Sequence, residues 1–213
     1  RTGSVIREGF GMTETSAVVS TGTPWTPHGK GSVGAPTIDT EVRAVREDGS
    51  DAPTGEPGEL WIRGPQVMLG YWGRPEATAD TLTADGWLKT GDICTIDEQG
   101  LIRIVDRKKD MILVSGFNVF PNEVEDVVVR CPGVRECVAV GVPDEKKGEA
   151  VKIFVSLLDS KVTEAQLIAH CREHLTGYKI PSFVEIRAEL PKSSVGKLLR
   201  RELRDEARKA AQA

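Results

Sequence analysis

Five short clusters hold residues whose types and spacing suit chemistry. Pro191-Lys192-Ser193-Ser194-Val195-Gly196-Lys197 is a run rich in small residues that ends on one ammonium just before a predicted helix. A cation delivered by such a loop can stabilise negative charge as it develops on a phosphate or an attacking carboxylate. The plain alternative for Lys197 is a surface lysine that opens the helix. In Trp87-Leu88-Lys89-Thr90-Gly91-Asp92 a carboxylate follows a Thr-Gly turn, where it can accept both hydrogen bonds of a ribose diol. Capping a strand or a turn is the ordinary use of such an aspartate. Asp106-Arg107-Lys108-Lys109-Asp110 offers the forked guanidinium of Arg107, suited to ribose and phosphate oxygens. A solvated charge run explains the two lysines beside it.

Gly9-Phe10-Gly11-Met12-Thr13-Glu14 combines four kinds of group. Its glycines let backbone approach a ligand closely, and Phe10 could cover a base. The Thr13 hydroxyl can bond phosphate, and the Glu14 carboxylate can hold a hard cation such as Mg²⁺. Taken alone the string is an ordinary turn. Ser115-Gly116-Phe117-Asn118-Val119 reads as a loop in which Gly116 leaves room for a narrow ligand arm. A plain turn glycine is the alternative there.

The elements that must position these groups fall into two halves. The first half is β-rich. Alternation in Val42-Arg43-Ala44-Val45 ends at the Asp48-Gly49 turn, and Gly58 to Gly64 is a short strand between glycines. Asp92–Ile96 and Leu101–Val105 are predicted arms of a hairpin. Pro24, Pro27, Pro53, Pro57, Pro65 and Pro75 punctuate the intervening loops. The run 106–110 is hard to bury and should be an exposed link between domains. Beyond it, Pro121 opens a helix carrying Val124, Val127 and Val128. Val134–Val142, Ala150–Leu158 and Phe183–Arg187 read as strands. Thr163 and Gln166 form a capping box for a helix with Leu167, Ile168, Cys171 and Leu175. A last amphipathic helix spans Leu198–Lys209.

Composition removes several classes. The 213 residues carry 28 Lys and Arg against 32 Asp and Glu, a net charge of −4, so a nucleic-acid-binding role lacks its basic excess. No apolar run reaches the ~20 residues of a membrane span. Cys94, Cys131, Cys137 and Cys171 match no zinc or CxxC spacing and read as reduced, partly buried thiols. His170 and His174 lie four apart on a predicted helix without a third ligand, and solvated helix-face histidines are the better reading. The chain opens Arg1-Thr2-Gly3-Ser4, with no initiator Met or targeting segment, which suggests a piece of a longer chain.

The string at residues 9–14 resembles the aromatic-Gly-x-Thr-Glu signature of the adenylate-forming, AMP-binding superfamily. That superfamily includes acyl-CoA synthetases, adenylation domains of peptide synthetases and luciferases. Residues 58–64 and Gly70-Tyr71-Trp72 are similar to further motifs of the family, in the same order. Segments 66–72, 104–118 and 175–179 resemble bacterial long-chain fatty acid CoA ligases. The resemblance implies a nucleotide site with Phe10 lining the adenine pocket, Gly11 beside it, Thr13 on phosphate, and Asp92 and Arg107 on the ribose. Glu14 would ligate Mg²⁺, Lys109 would be the hinge, Gly116 would border the pantetheine tunnel of CoA, and Lys197 would be catalytic.

The fold so implied is a β-rich subdomain, the end of a large N-terminal domain with a distorted barrel, over residues 1–108. A small mobile α+β lid follows over 109–213. The implied reaction consumes ATP, a fatty acid and CoA, in the cytoplasm, with room for peripheral contact at the inner face of the membrane. The remaining N-terminal domain would be a partner, and the full-length protein could form a homodimer. The family's Ser/Thr/Gly-rich phosphate loop and the acyl pocket are not in these residues, so the segment alone should be inactive. Two rival expectations are an amino-acid adenylation domain that loads a carrier protein and a non-catalytic interaction module on the same fold.

Overall fold

A computed structural model describes residues 6–23 and 31–211. Arg1–Ser4, Pro24, Pro27 and His28 lie outside the described residues. The chain divides into two compact units, Arg1–Lys108 and Lys109–Ala213.

In the first unit, β1 (Gly9–Phe10), β2 (Ser20–Thr21) and β3 (Ala35–Pro36) form a short antiparallel ribbon in that order. β4 (Glu41–Val45), β5 (Gly58–Arg63), β6 (Leu88–Ile96) and β7 (Ile102–Arg107) form a second antiparallel sheet in chain order. Strict alternation decides which way β5 faces: Gly58, Leu60 and Ile62 are buried, and Glu59, Trp61 and Arg63 point the other way. Leu60, Ile62, Leu88 and Ile102 are fully buried with Val19 and Cys94. Each such aliphatic side chain stabilises the fold by about 1.5–3 kcal/mol relative to exposure.

The sheet is open, and no closed barrel forms among the described residues. β4 and β7 are its edges. Single bridges from Asp51 to Val45 and from Gly34 to Ile102 flank those edges in place of a returning strand. Pro75, read above as loop punctuation, instead occupies the first position of α1 (Pro75–Thr81). Its missing N–H costs nothing in a first helical turn.

The second unit is built on a mixed sheet. β8 (Ile112–Val114) and β9 (Phe117–Val119) form a tight hairpin, so residues 117–119 are a strand and not the loop expected. After α2 (Pro121–Val128), the long strands β10 (Val134–Asp144) and β11 (Gly148–Leu157) pair antiparallel. α3 (Glu164–His174) leads to β12 (Phe183–Arg187), which pairs parallel with β11. α4 (Arg200–Ala211) follows the Lys197 loop.

Both faces of this sheet are covered. Cys137, Ala139, Ile153 and Val155 pack in one core with Val124 and Val128 of α2 and Leu167 and Cys171 of α3. Val138, Val140, Val142 and Phe154 pack in another with Leu203 and Ala207 of α4. Double coverage explains why β10 reads as a nearly continuous apolar run. The predicted capping box is present: the Gln166 N–H donates to Thr163 Oγ1 at 3.3 Å, and the Thr163 N–H donates to Gln166 Oε1 at 2.9 Å.

The expectation of an exposed charge run at 106–110 needs correction. Arg107, Lys108 and Lys109 are exposed, but Asp106 is buried, because β7 continues to Arg107 and turns that carboxylate inward. Its Oδ1 accepts from the Arg107 N–H at 2.8 Å. Asp110 is also largely covered, with two arginines on its carboxylate.

Candidate functional site

The β6–β7 register sets Asp92 directly opposite Arg107. Arg107 Nε lies 3.8 Å from Asp92 Oδ1; the Asp92 side chain is 17% exposed and that of Arg107 54%. The carboxylate is therefore largely covered, with a half-exposed guanidinium beside it. The backbone of Asp92 is fixed from β5. Thr90 Oγ1 donates to the Leu60 carbonyl at 2.8 Å and accepts from the Asp92 N–H at 3.1 Å. Glu59 does a second job, accepting from the Gly91 N–H at 3.2 Å and from the Lys108 ammonium at 2.9 Å. Sequence reasoning missed Glu59 and Thr90 as supports. The outward position of Glu59 in an alternating strand and the hydroxyl two residues before Asp92 were the available signals. Lys108, read as a solvated charge, is ion-paired through Glu59.

The Gly9–Glu14 cluster follows β1 into a 3-10 turn, Thr13–Thr15. Gly11 has a packing reason: a Cβ there would stand 1.4 Å from the carbonyl oxygen of Ala17. Phe10 is half-buried and leans on the first unit's core. Thr13 is exposed. Glu14 Oε1 accepts from the Tyr71 hydroxyl at 2.9 Å, and the Glu14 carbonyl accepts from the Met68 N–H at 2.8 Å. Burial raises the pKa of Tyr71, and the Glu14 carboxylate beside it raises it further. Among the described residues no group of three or more His, Cys, Asp or Glu is placed to hold a metal ion by itself. One carboxylate in a partly exposed loop fits Mg²⁺, which is usually held by one or two carboxylates together with substrate phosphates and water.

The other predicted residues belong to the second unit. The Lys109 carbonyl accepts from Arg204 Nη1 at 3.3 Å. Gly116 is the second residue of the β8–β9 turn, where Ser115 has φ 51° and Gly116 φ 83°. Two successive left-handed residues are what a two-residue hairpin of this twist requires. A Cβ on Gly116 would meet nothing within 4 Å, so its flank is open.

Lys197 closes an exposed turn. The Ser193 N–H donates to the Lys197 carbonyl at 2.8 Å, and the Lys197 N–H donates to Ser193 Oγ at 3.1 Å. Lys192, in the same loop, is ion-paired to Glu136 at 2.6 Å. Among the described residues the Lys197 ammonium has no acceptor. Its backbone is thus fixed while its charge is available.

All four cysteines are buried and unpaired, and burial pushes Cys94 up to about 12 and Cys171 to about 11. His170 is less solvated than expected, with Nε2 3.0 Å from the Val127 carbonyl, whereas His174 is exposed as expected, with Nδ1 2.9 Å from the His170 carbonyl. No described helix is long and apolar enough to cross a membrane.

Comparison with known proteins adds the family context. Residues 1–72 match the family described as AMP-binding enzyme, and residues 123–197 match the AMP-binding enzyme C-terminal domain. The chain is 60% identical over 206 residues to a long-chain-fatty-acid–CoA ligase of Yersinia pestis, covering 96% of this chain and 36% of that protein. It is 58% identical to the ligase of the same name from Escherichia coli, covering 97% of this chain and 37% of the relative. It therefore spans a little over a third of the length of these curated relatives. Among solved structures, ATP-bound MatB from Rhodopseudomonas palustris superposes with a TM-score of 0.92 at 32% identity, over 99% of this chain and 42% of MatB.

Proposed function

Since the chain belongs to the AMP-binding, adenylate-forming enzymes, we propose that it is the C-terminal part of a long-chain fatty acid CoA ligase. In the first step a fatty-acid carboxylate attacks the α-phosphorus of ATP, forming acyl-AMP and releasing pyrophosphate. In the second the sulfur of CoA attacks the acyl carbon, forming the thioester and releasing AMP. Both steps take place in the cytoplasm.

Each residue then has a role that its chemistry suits. Asp92 accepts hydrogen bonds from the ribose diol, and Arg107 turns its fork from Asp92 towards the ribose oxygens. Phe10 offers a ring face to adenine, with Gly11 keeping the loop close, and the Thr13 hydroxyl donates to phosphate. Glu14 holds Mg²⁺, which when bound neutralises phosphate charge. Lys197 brings its ammonium to the oxygens where charge builds during adenylation. The first unit ends a larger, barrel-containing nucleotide domain. The second is a lid that turns about Lys109, presenting Lys197 for adenylation and the Gly116 hairpin for thioester formation. Lid motions of this kind often set turnover.

The reading rests most on one contrast: Asp92 and Arg107 are matched by strand register, whereas the Lys197 ammonium is unclaimed at the end of a fixed turn. It is tested by pyrophosphate release from the full-length protein with acids of increasing chain length, and amino acids as controls. Long-chain acids should give the fastest release. Release driven by an amino acid and by no fatty acid would replace this reading with carrier-protein loading.

A further inference from the structure

The residue that follows the proposed hinge is held by the helix that follows the proposed catalytic lysine. Asp110 Oδ1 accepts from Arg204 Nη1 at 2.7 Å, and Asp110 Oδ2 lies 3.6 Å from Arg200 Nη1. Arg204 Nη1 also reaches the Lys109 carbonyl at 3.3 Å. Arg200 and Arg204 are four apart on α4 and so share one helix face. Arg200 Nη2 further donates to Asn122 Oδ1 at 2.7 Å and to both carboxylate oxygens of Glu125 at 2.8 and 2.9 Å. Glu125 Oε1 in turn accepts from the Ala139 N–H of β10 at 2.8 Å. Asp110, Glu125, Arg200 and Arg204 are 12 to 21% exposed, so this network is shielded from solvent screening.

Resting on the reading above, the geometry points to this network as a coupling clamp: Asp110 and Arg204, with Arg200 and Glu125, are positioning residues that make the hinge and the Lys197 loop turn together. The two functional turns of the second unit differ in how they are tied to Lys109. The Gly116 hairpin is a short run of chain away, through β8, and is braced on β11 by that strand and by the Ser115 N–H on the Lys147 carbonyl at 2.7 Å. Its position after a rotation at Lys109 is set by these contacts. Lys197 is far along the chain, and its loop is fastened to α4 by the Leu199 N–H on the Pro191 carbonyl at 2.9 Å and the Lys192–Leu198 bridge. Arg200 and Arg204 complete the link, from the base of that loop directly to Asp110 and the Lys109 carbonyl. Buried charge pairs of this kind have their best-attested use in fixing register between elements, which is the task here.

The clamp therefore matters to the half-reaction that needs Lys197 and not to the one that needs Gly116. In the full-length enzyme, Asp110→Asn and Arg204→Met are compared with wild type in two assays: acid-dependent pyrophosphate exchange, and thioester formation from supplied acyl-AMP and CoA. The exchange rate should fall ~10- to 100-fold, the scale of a small misplacement of a catalytic group, with its KM for ATP nearly unchanged. Thioester formation should stay within about twofold, since no contact it depends on is touched. Arg204→Lys, which keeps the charge without the fork, should recover part of the exchange rate. Should Asp110→Asn not fold, Arg204→Met carries the test alone, because it leaves Asp110 beside Arg200. Equal loss in both half-reactions, or loss in neither, overturns the clamp. Lys197→Ala in the same assays separates the two ideas: if it spares exchange, the reading of Lys197 fails, whereas selective loss there with none at Arg204 sinks the clamp alone.

Discussion

Asp92 sits in a strand whose backbone is fixed by Thr90 and whose turn is fixed by Glu59, whereas Lys197 stands at the end of an exposed turn with its ammonium uncommitted. The glycines of the two regions differ in the same sense. Gly11 is hemmed in by backbone, and Gly116 faces open space. A group that grips one ligand throughout a reaction gains from being pre-set, because no ordering then accompanies binding. A group that must serve one step and withdraw for the next gains from a firm backbone and a free side chain. The first unit is built in the former way and the turns of the second in the latter.

Gly11→Ala should break the contrast most severely. An added Cβ 1.4 Å from a backbone oxygen forces the 9–17 loop apart, so the first unit should lose about 3 kcal/mol or more, read as a lowered denaturant midpoint. Thr90→Val comes next. It leaves the Leu60 carbonyl and the Asp92 N–H without the hydroxyl they share and should cost about 1–3 kcal/mol in chemical denaturation. Gly116→Ala meets no atom and incurs only left-handed strain, about 1–2 kcal/mol by thermal melting. On the tunnel reading it also slows thioester formation and leaves pyrophosphate exchange alone. The smallest effect is at Cys94, whose thiol is pushed up to about 12 by burial and should resist alkylation at pH 8 until the protein is unfolded.

Much of this was legible in the sequence wherever a local rule acted alone. Alternation up to the Asp48-Gly49 turn marked β4, flanking glycines marked β5, the two arms at 92–96 and 101–105 marked the β6–β7 hairpin, and the Thr163–Gln166 box marked the start of α3. Failures occurred where two rules competed. Pro75 can punctuate a loop or open a helix, and the Thr78 N–H and hydroxyl bonding back to the Arg74 carbonyl at 3.1 and 2.9 Å mark it as the latter. Phe117–Val119 is too short for alternation to register, and its strand exists because the Ser115-Gly116 turn folds it onto β8. Asp106 looked exposed because charge is usually solvated, yet strand phase turned it inward.

The site shows the same division. Residue types made Asp92, Arg107 and Lys197 candidates, since the chemistry proposed for them is carried by their own side chains. Their supports were only partly legible: strand phase set Glu59 outward, but the partners of Glu59, Asp110 and Arg204 lie 32 or more residues away. Nothing local in the sequence encodes such pairings. The thiols, read as partly buried, are all buried, and the bond from His170 to the Val127 carbonyl depends on how α3 packs against α2.

The most direct test of the central claim is Lys197→Ala in the full-length enzyme, with the two half-reactions measured separately. A cation required only while charge builds on the α-phosphate predicts that pyrophosphate exchange falls ~10²–10³-fold, while supplied acyl-AMP is still converted to thioester at close to the wild-type rate. Equal loss in both half-reactions, or an undiminished exchange rate, would contradict it.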